Sequence, residues 1–123
     1  MTTETQTRQV VRAFHAARTV GDVEVTRAQL ASTFTFRSPL MSLDDPDAYL
    51  ASHTGLQQVV TGLDMISELY GDGEATIVYD LHTATPAGTQ RTAEHFTLTD
   101  GRISSVLIIF DASPWRPMLT SLV

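Results

Sequence analysis

The sequence contains no cysteine and no lysine. The first absence excludes disulfides, thiolate catalysis and zinc sites built on cysteine. The second excludes Schiff-base chemistry on a lysine amine. All eight basic residues are arginines, scattered from Arg8 to Arg116, against 14 acidic residues and a formal net charge of −6. A chain of that sign without a basic stripe is not built for nucleic acid. No apolar run is long enough to cross a membrane. Met1 to Thr5 is polar and acidic and lacks the basic start and apolar stretch of an export signal, so the expected location is cytoplasmic. There is no glycine-rich phosphate loop, and no pair of His or acidic residues has the spacing of a zinc motif. Neither a metal nor a cofactor is expected.

What is present suits a folded domain. Of 123 residues, 42% are hydrophobic, which fits one domain over 1–123 with a real core. Val10, Val11, Phe14 and Ala17 recur at helical spacing and predict a first helix over 5–19, ended by Gly21. Asp22 caps a short second helix, 23–31, that buries Val23, Ala28 and Leu30. Alternation predicts a strand over 33–38, stopped by Pro39. Asp45, Pro46 and Asp47 open a third helix. It carries Tyr49, Leu50, His53, Leu56, Val59 and Val60, and Gly62 closes it. From Leu63 on, the period is two, giving strands over 63–70, 75–84, 90–98 and 102–110. Turns fall at Asp72-Gly73, Pro86-Ala87-Gly88 and Asp100-Gly101. Pro114 and Pro117 argue against regular structure in the tail. This is an α+β order with an antiparallel meander, the early strand added at an edge and an apolar pocket between the layers.

Three stretches carry a likeness: Val10-Val11-Arg12-Ala13-Phe14 with Gly21-Asp22, then Phe34-Thr35-Phe36-Arg37-Ser38-Pro39, then Glu94-His95-Phe96 with Asp100-Gly101-Arg102-Ile103. In this order, over roughly residues 8 to 115, the chain resembles the nuclear transport factor 2-like superfamily, with its SnoaL-like cyclases and ketosteroid isomerases. The resemblance implies a cone-shaped α+β barrel. About three N-terminal helices pack on a curved, mixed, mainly antiparallel sheet, and the open end admits a small ligand. It also implies a homodimer. Where the ketosteroid isomerases carry a Tyr donor, an Asp base and a protonated Asp, this chain has Phe14, Ser38 and Glu94. A serine hydroxyl alone does not abstract a carbon-bound proton near neutral pH, which argues against their familiar route. SnoaL-like cyclases use an acidic residue in the cavity, and Glu94 suits that pattern. The Asp-Arg-Asp set of limonene epoxide hydrolase has no counterpart on these strands.

Glu94 shares parity with Phe96 and Leu98 and is expected to face the helices, as a carboxyl with a raised pKa acting as general acid or base. The plainer reading is an edge carboxylate paired with an arginine or left in water. Asp80 and His82 share one face of the preceding strand. If Pro86-Ala87-Gly88 is a three-residue loop, Asp80 lies across from Glu94, and the two carboxyls share a proton with His82 as relay. A one-residue change of register turns Asp80 out and brings Tyr79 and Leu81 in. Tyr49 and His53, four apart on the third helix, are candidates for hydrogen-bonding a ligand, against a plainer role at the margin of the core. Ser38 is a candidate donor to the same ligand. Phe14, Phe96, Val106, Ile108 and Phe110 are expected to form the apolar wall. The last strand has a second apolar face, Ile103, Leu107 and Ile109, which predicts a homodimer packed sheet against sheet. Trp115 reads either as a lid or as a dimer anchor. Two functions compete: a cofactor-free cyclase, isomerase or hydrolase acting on a small apolar molecule through Glu94, Asp80 and His82, or a non-catalytic ligand-binding or dimeric module.

Overall fold

A computed structural model describes residues 1–121. Its helices start where short polar side chains meet exposed backbone N–H groups. Thr3 caps α1 (Glu4–Val20) in a capping box: the Gln6 amide donates to Thr3 Oγ1 at 3.2 Å, and the Thr3 amide donates to Gln6 Oε1 at 2.9 Å. Gly21 ends α1 at φ 77°, a conformation that favours glycine. Asp22 accepts from the Val25 amide at 3.1 Å to start α2 (Val23–Ala28). Asp45 accepts from the Ala48 amide at 3.1 Å to start α3 (Pro46–Gln57).

Six strands form one sheet: β1 (Leu30–Arg37), β2 (Ser42–Leu43), β3 (Val60–Tyr70), β4 (Glu74–Thr83), β5 (Thr89–Thr99) and β6 (Arg102–Ile109). Their order is β2-β1-β6-β5-β4-β3. The β3–β6 run is the expected meander. β1 joins it beside β6 in parallel, and β2 adds an antiparallel outer strand. Helices pack on this mixed, unclosed sheet as an α+β cone. Phe14 from α1, Phe34 from β1 and Phe96 from β5 have no exposed surface, and Tyr49 of α3 lies against Phe14, Phe34 and Phe36 ring to ring. Val106 is equally sealed, while Ile108 packs on the cluster from its margin.

Several boundaries differ from expectation. α3 stops at Gln57, and Gly62 lies inside β3, because the strand pairs with β4 from Val60 onward. α2 is shorter than expected and leaves Val23 about half exposed, while Leu30 is buried as the first residue of β1. The tail does form a helix, α4 (Arg116–Ser121), with Pro117 in its first turn, where a missing N–H costs no hydrogen bond. Ile103 is buried with Val106, not exposed with Leu107 and Ile109, because a bulge shifts the ladder between the Thr97↔Ser105 and Leu98↔Ile103 pairs. Leu107 and Ile109 do face outward, on the side of the sheet away from the helices.

Asp45 satisfies an N-terminal amide of α3 that Ala at the same position leaves open. Asp45→Ala is therefore expected to lower the unfolding free energy by about 1 kcal/mol. The check is the urea midpoint at an unchanged slope.

Candidate functional site

Glu94 lies in the middle of β5, on the face toward the helices, with no exposed surface. A lone carboxylate there is strongly disfavoured. Its partner comes from the other layer. Val11, Phe14 and Arg18 follow one another on the buried side of α1, and Arg18 is almost as sealed as Glu94. The Arg18 guanidinium grips both carboxylate oxygens: Nη1 donates to Oε2 at 2.8 Å, and Nη2 donates to Oε1. The Tyr79 hydroxyl, from β4, also donates to Oε1. Arg18 Nη1 donates to the Tyr49 hydroxyl at 3.3 Å, and the guanidinium carbon lies 4.8 Å from the centre of the Phe14 ring.

Two histidines flank the pair. Arg18 Nη2 lies 2.9 Å from His15 Nδ1. A guanidinium only donates, so Nδ1 is the acceptor and the ring proton sits on Nε2. His53 stacks on Tyr49, the ring planes 3° apart, and its Nε2 lies 3.4 Å from the Arg18 carbonyl. Burial, with the Arg18 charge beside them, pushes both histidines down to about 4. Both are neutral at pH 7.

The expected raised pKa of Glu94 is overturned. Burial pushes the carboxyl up, but the Arg18 charge and the hydrogen bonds from Arg18 and Tyr79 outweigh it and hold Glu94 below the ordinary range. Burial, then the Glu94 charge, pushes the Tyr79 hydroxyl well up, so it stays a donor. The assembly is an ionised carboxylate fixed by three donors.

Asp80 and His82 do not join it. The β4–β5 register places Ile77, not Asp80, across from Glu94, and Asp80 across from Arg91. The connection after Thr83 is longer than three residues, and the odd shift reverses parity: Tyr79 turns in and Asp80 turns out. Asp80 instead takes a two-pronged contact from Arg91 at 2.9 and 3.0 Å. His82 lies on the same outer face, with Asp64 at 2.7 Å and Thr89 at 2.9 Å. Ser38 Oγ accepts from the Leu40 and Met41 amides at 3.1 Å each, closing the turn between β1 and β2, so its lone pairs serve the backbone. Phe14, Phe96 and Val106 are core residues, packed out of a ligand's reach. Phe110 is half-buried and meets Trp115 edge to face at 6.5 Å. Trp115 Nε1 is buried and has no acceptor among the described residues. Arg18 was not anticipated. The signal for it was in the sequence: a guanidinium four residues after Phe14 and seven after Val11 falls on the apolar stripe of α1.

Removing one member of a sealed ion pair leaves the other charge without compensation. Glu94→Leu is expected to cost about 3–5 kcal/mol, and the double variant Arg18→Met/Glu94→Leu to recover most of that loss. Urea unfolding of the single and double variants checks this. Acid adds a second effect. The histidines are depressed in the fold relative to about 6.5 in the unfolded chain, so the unfolded chain binds more protons between those values. Their contribution is complete above pH 6.5 and is lost as pH falls toward about 4, with Glu94 adding the same sign below the ordinary glutamate range. The slope reaches at most about 2.7 kcal/mol per pH unit for two protons. Unfolding series from pH 7.5 to 4.5 should show it, and His15→Gln/His53→Gln should flatten it.

No family model matches the chain, and no curated protein matches it in sequence. Solved structures do. A protein from Kribbella flavida is 28% identical, with 93% of each chain covered and a TM-score of 0.81. An NTF2-like protein of unknown function from Cytophaga hutchinsonii is 19% identical, covering 92% of this chain and 94% of its own, with a TM-score of 0.73. A second Kribbella flavida protein, a candidate ketosteroid isomerase, is 18% identical, covering 88% of this chain and 79% of its own, with a TM-score of 0.74. The chain shares the fold of these structures, helices laid into an open six-stranded α+β cone.

Proposed function

We propose that the chain is a cofactor-free, small-molecule-binding domain that seats a small apolar molecule bearing a hydrogen-bond acceptor at the half-buried end of its inner sheet face. In this reading Glu94, kept ionised by Arg18 and hydrogen-bonded by the Tyr79 hydroxyl, is the base of an isomerase, cyclase or hydrolase reaction. The observation that carries the seat is the indole N–H of Trp115, buried beside Phe110 without an acceptor among the described residues. A buried donor left unpaired is costly, and a carbonyl or ether oxygen on a ligand satisfies it. Leu63 and Leu81, opposite each other on β3 and β4, and Ile108 on β6 supply partly buried apolar surface at the edge of the core. The candidate ketosteroid isomerase among the structural neighbours supports the same class, by fold alone.

The second reading is a non-catalytic dimeric module. It draws on the saturation of Glu94 by three donors and on the outer sheet face. There Leu69, Thr76, His95 and Leu107 stand in one cross-strand row, and Ser67, Val78, Ala93 and Ile109 in the next. Leu69, Leu107 and Ile109 are 67%, 45% and 57% exposed, a strip that a second copy packed sheet against sheet covers.

Hydrogen–deuterium exchange at the α-carbon of a small ketone, cyclohexanone, separates the two readings. The wild-type protein is expected to accelerate exchange above the buffer rate. Glu94→Gln and the milder Tyr79→Phe are expected to lose at least tenfold of that acceleration, with folding of each variant checked by circular dichroism. No acceleration by the wild type, together with a dimer in sedimentation that Leu107→Glu/Ile109→Glu splits, selects the module.

A further inference from the structure

A second polar cluster lies outside the Glu94 layer, on the seam between α1 and the β3–β4 hairpin. Met65 gives the exposed apolar surface of a cleft of about 90 Å³ whose floor is closed by the buried Val11 and Ile77, and His15, Arg12, Glu68 and Tyr70 border it. Most of the polar atoms are already engaged. Glu68 Oε1 accepts from the Tyr70 hydroxyl at 2.7 Å and from Arg12 Nε at 3.3 Å, and Arg12 also stands over the Tyr70 ring. Two atoms are not engaged. Glu68 Oε2 meets no donor among the described residues. His15 carries its proton on Nε2, since Nδ1 is taken by Arg18, and that N–H meets no acceptor among the described residues while staying open to solvent.

One free donor and one free acceptor on a cleft with an apolar lining match a hydroxyl group, which accepts through a lone pair and donates through its proton. Charged ligands fit worse. A carboxylate meets Glu68, and an ammonium group meets Arg12, the two already neutralising each other. We propose that this cleft binds a small hydroxylated apolar molecule, an alcohol or a phenol. His15 Nε2–H donates to its oxygen, its O–H donates to Glu68 Oε2, and its hydrocarbon lies against Met65 over the floor formed by Val11 and Ile77. The opposite nitrogen of the same imidazole holds Arg18, so a ligand here touches the group that orients the Arg18–Glu94 pair. The site shares none of its residues with the proposed seat beside Trp115 and stands independently of it.

The test is an NMR titration of the full chain with phenol and with toluene, which has the same ring but no hydroxyl. Saturable shifts are expected at Val11, Ala16, Met65 and Ile77, with phenol bound about tenfold more tightly than toluene, the size of one net hydrogen bond. The His15 Nε2–H signal is expected to move with phenol and not with toluene. His15→Phe and Glu68→Met, each confirmed folded, are expected to bring the two affinities within about threefold of each other. Equal affinities for the wild type, no saturation, a His15 Nε2–H signal indifferent to phenol, or shifts confined to other residues would each overturn the proposal. Because the His15 signal is read in the wild type, the test holds even where a variant fails to fold.

Discussion

The structure turns on one electrostatic constraint: a carboxylate with no exposed surface must be matched from the opposite layer. Glu94 projects from the sheet and Arg18 from the first helix, so the ion pair crosses the interface that the hydrophobic core otherwise fills. Hydrophobic contacts tolerate sliding, whereas a two-pronged guanidinium–carboxylate contact does not. The pair thus fixes the angle and depth at which α1 lies on the strands. Tyr49, Tyr79, His15 and His53 are arranged around that fixed point, each satisfying a polar atom or holding a ring against it.

The same constraint decides what chemistry is available. A carboxyl in an apolar layer without a counter-charge drifts toward neutrality and becomes a proton donor. With Arg18 against both oxygens, Glu94 is held in the opposite state. The histidines show the complementary effect: burial, and then the positive charge beside them, strips their own, and one becomes an acceptor for the guanidinium. The polar centre therefore holds a single fixed pair of opposite charges, and its other members are neutral donors and acceptors.

Much of this was legible from the chain. Helical spacing and caps placed the three N-terminal helices, and period-two alternation placed the meander, because each signal is local. Glu94 could be oriented by parity with Phe96 and Leu98, which no bulge interrupts. Asp80 could not, because its facing depends on how many residues the β4–β5 connection spends before pairing begins, and Pro86-Ala87-Gly88 suggests a tighter loop than forms. Ile103 failed for a related reason: one extra residue in β6 reverses parity partway along the strand. Arg18 was readable as a charge on an apolar stripe, but its meaning emerges only once the strand bearing Glu94 is known to lie beneath it. The parallel pairing of β1 with β6 has no local signature.

That last pairing bears on the order of assembly. The β3–β6 meander closes through short turns, each a local event. β1 meets β6 only when residues such as Phe36 and Val106, separated by most of the chain, are brought together, and Arg18 meets Glu94 across a similar span of 76 residues. Contacts of long sequence separation carry the larger loop-closure entropy. Both charges are hydrated until they meet, so their desolvation belongs to the step that docks α1 on the sheet. During synthesis α1 precedes the strands that enclose it, so Arg18 stays in water until β5 supplies its partner.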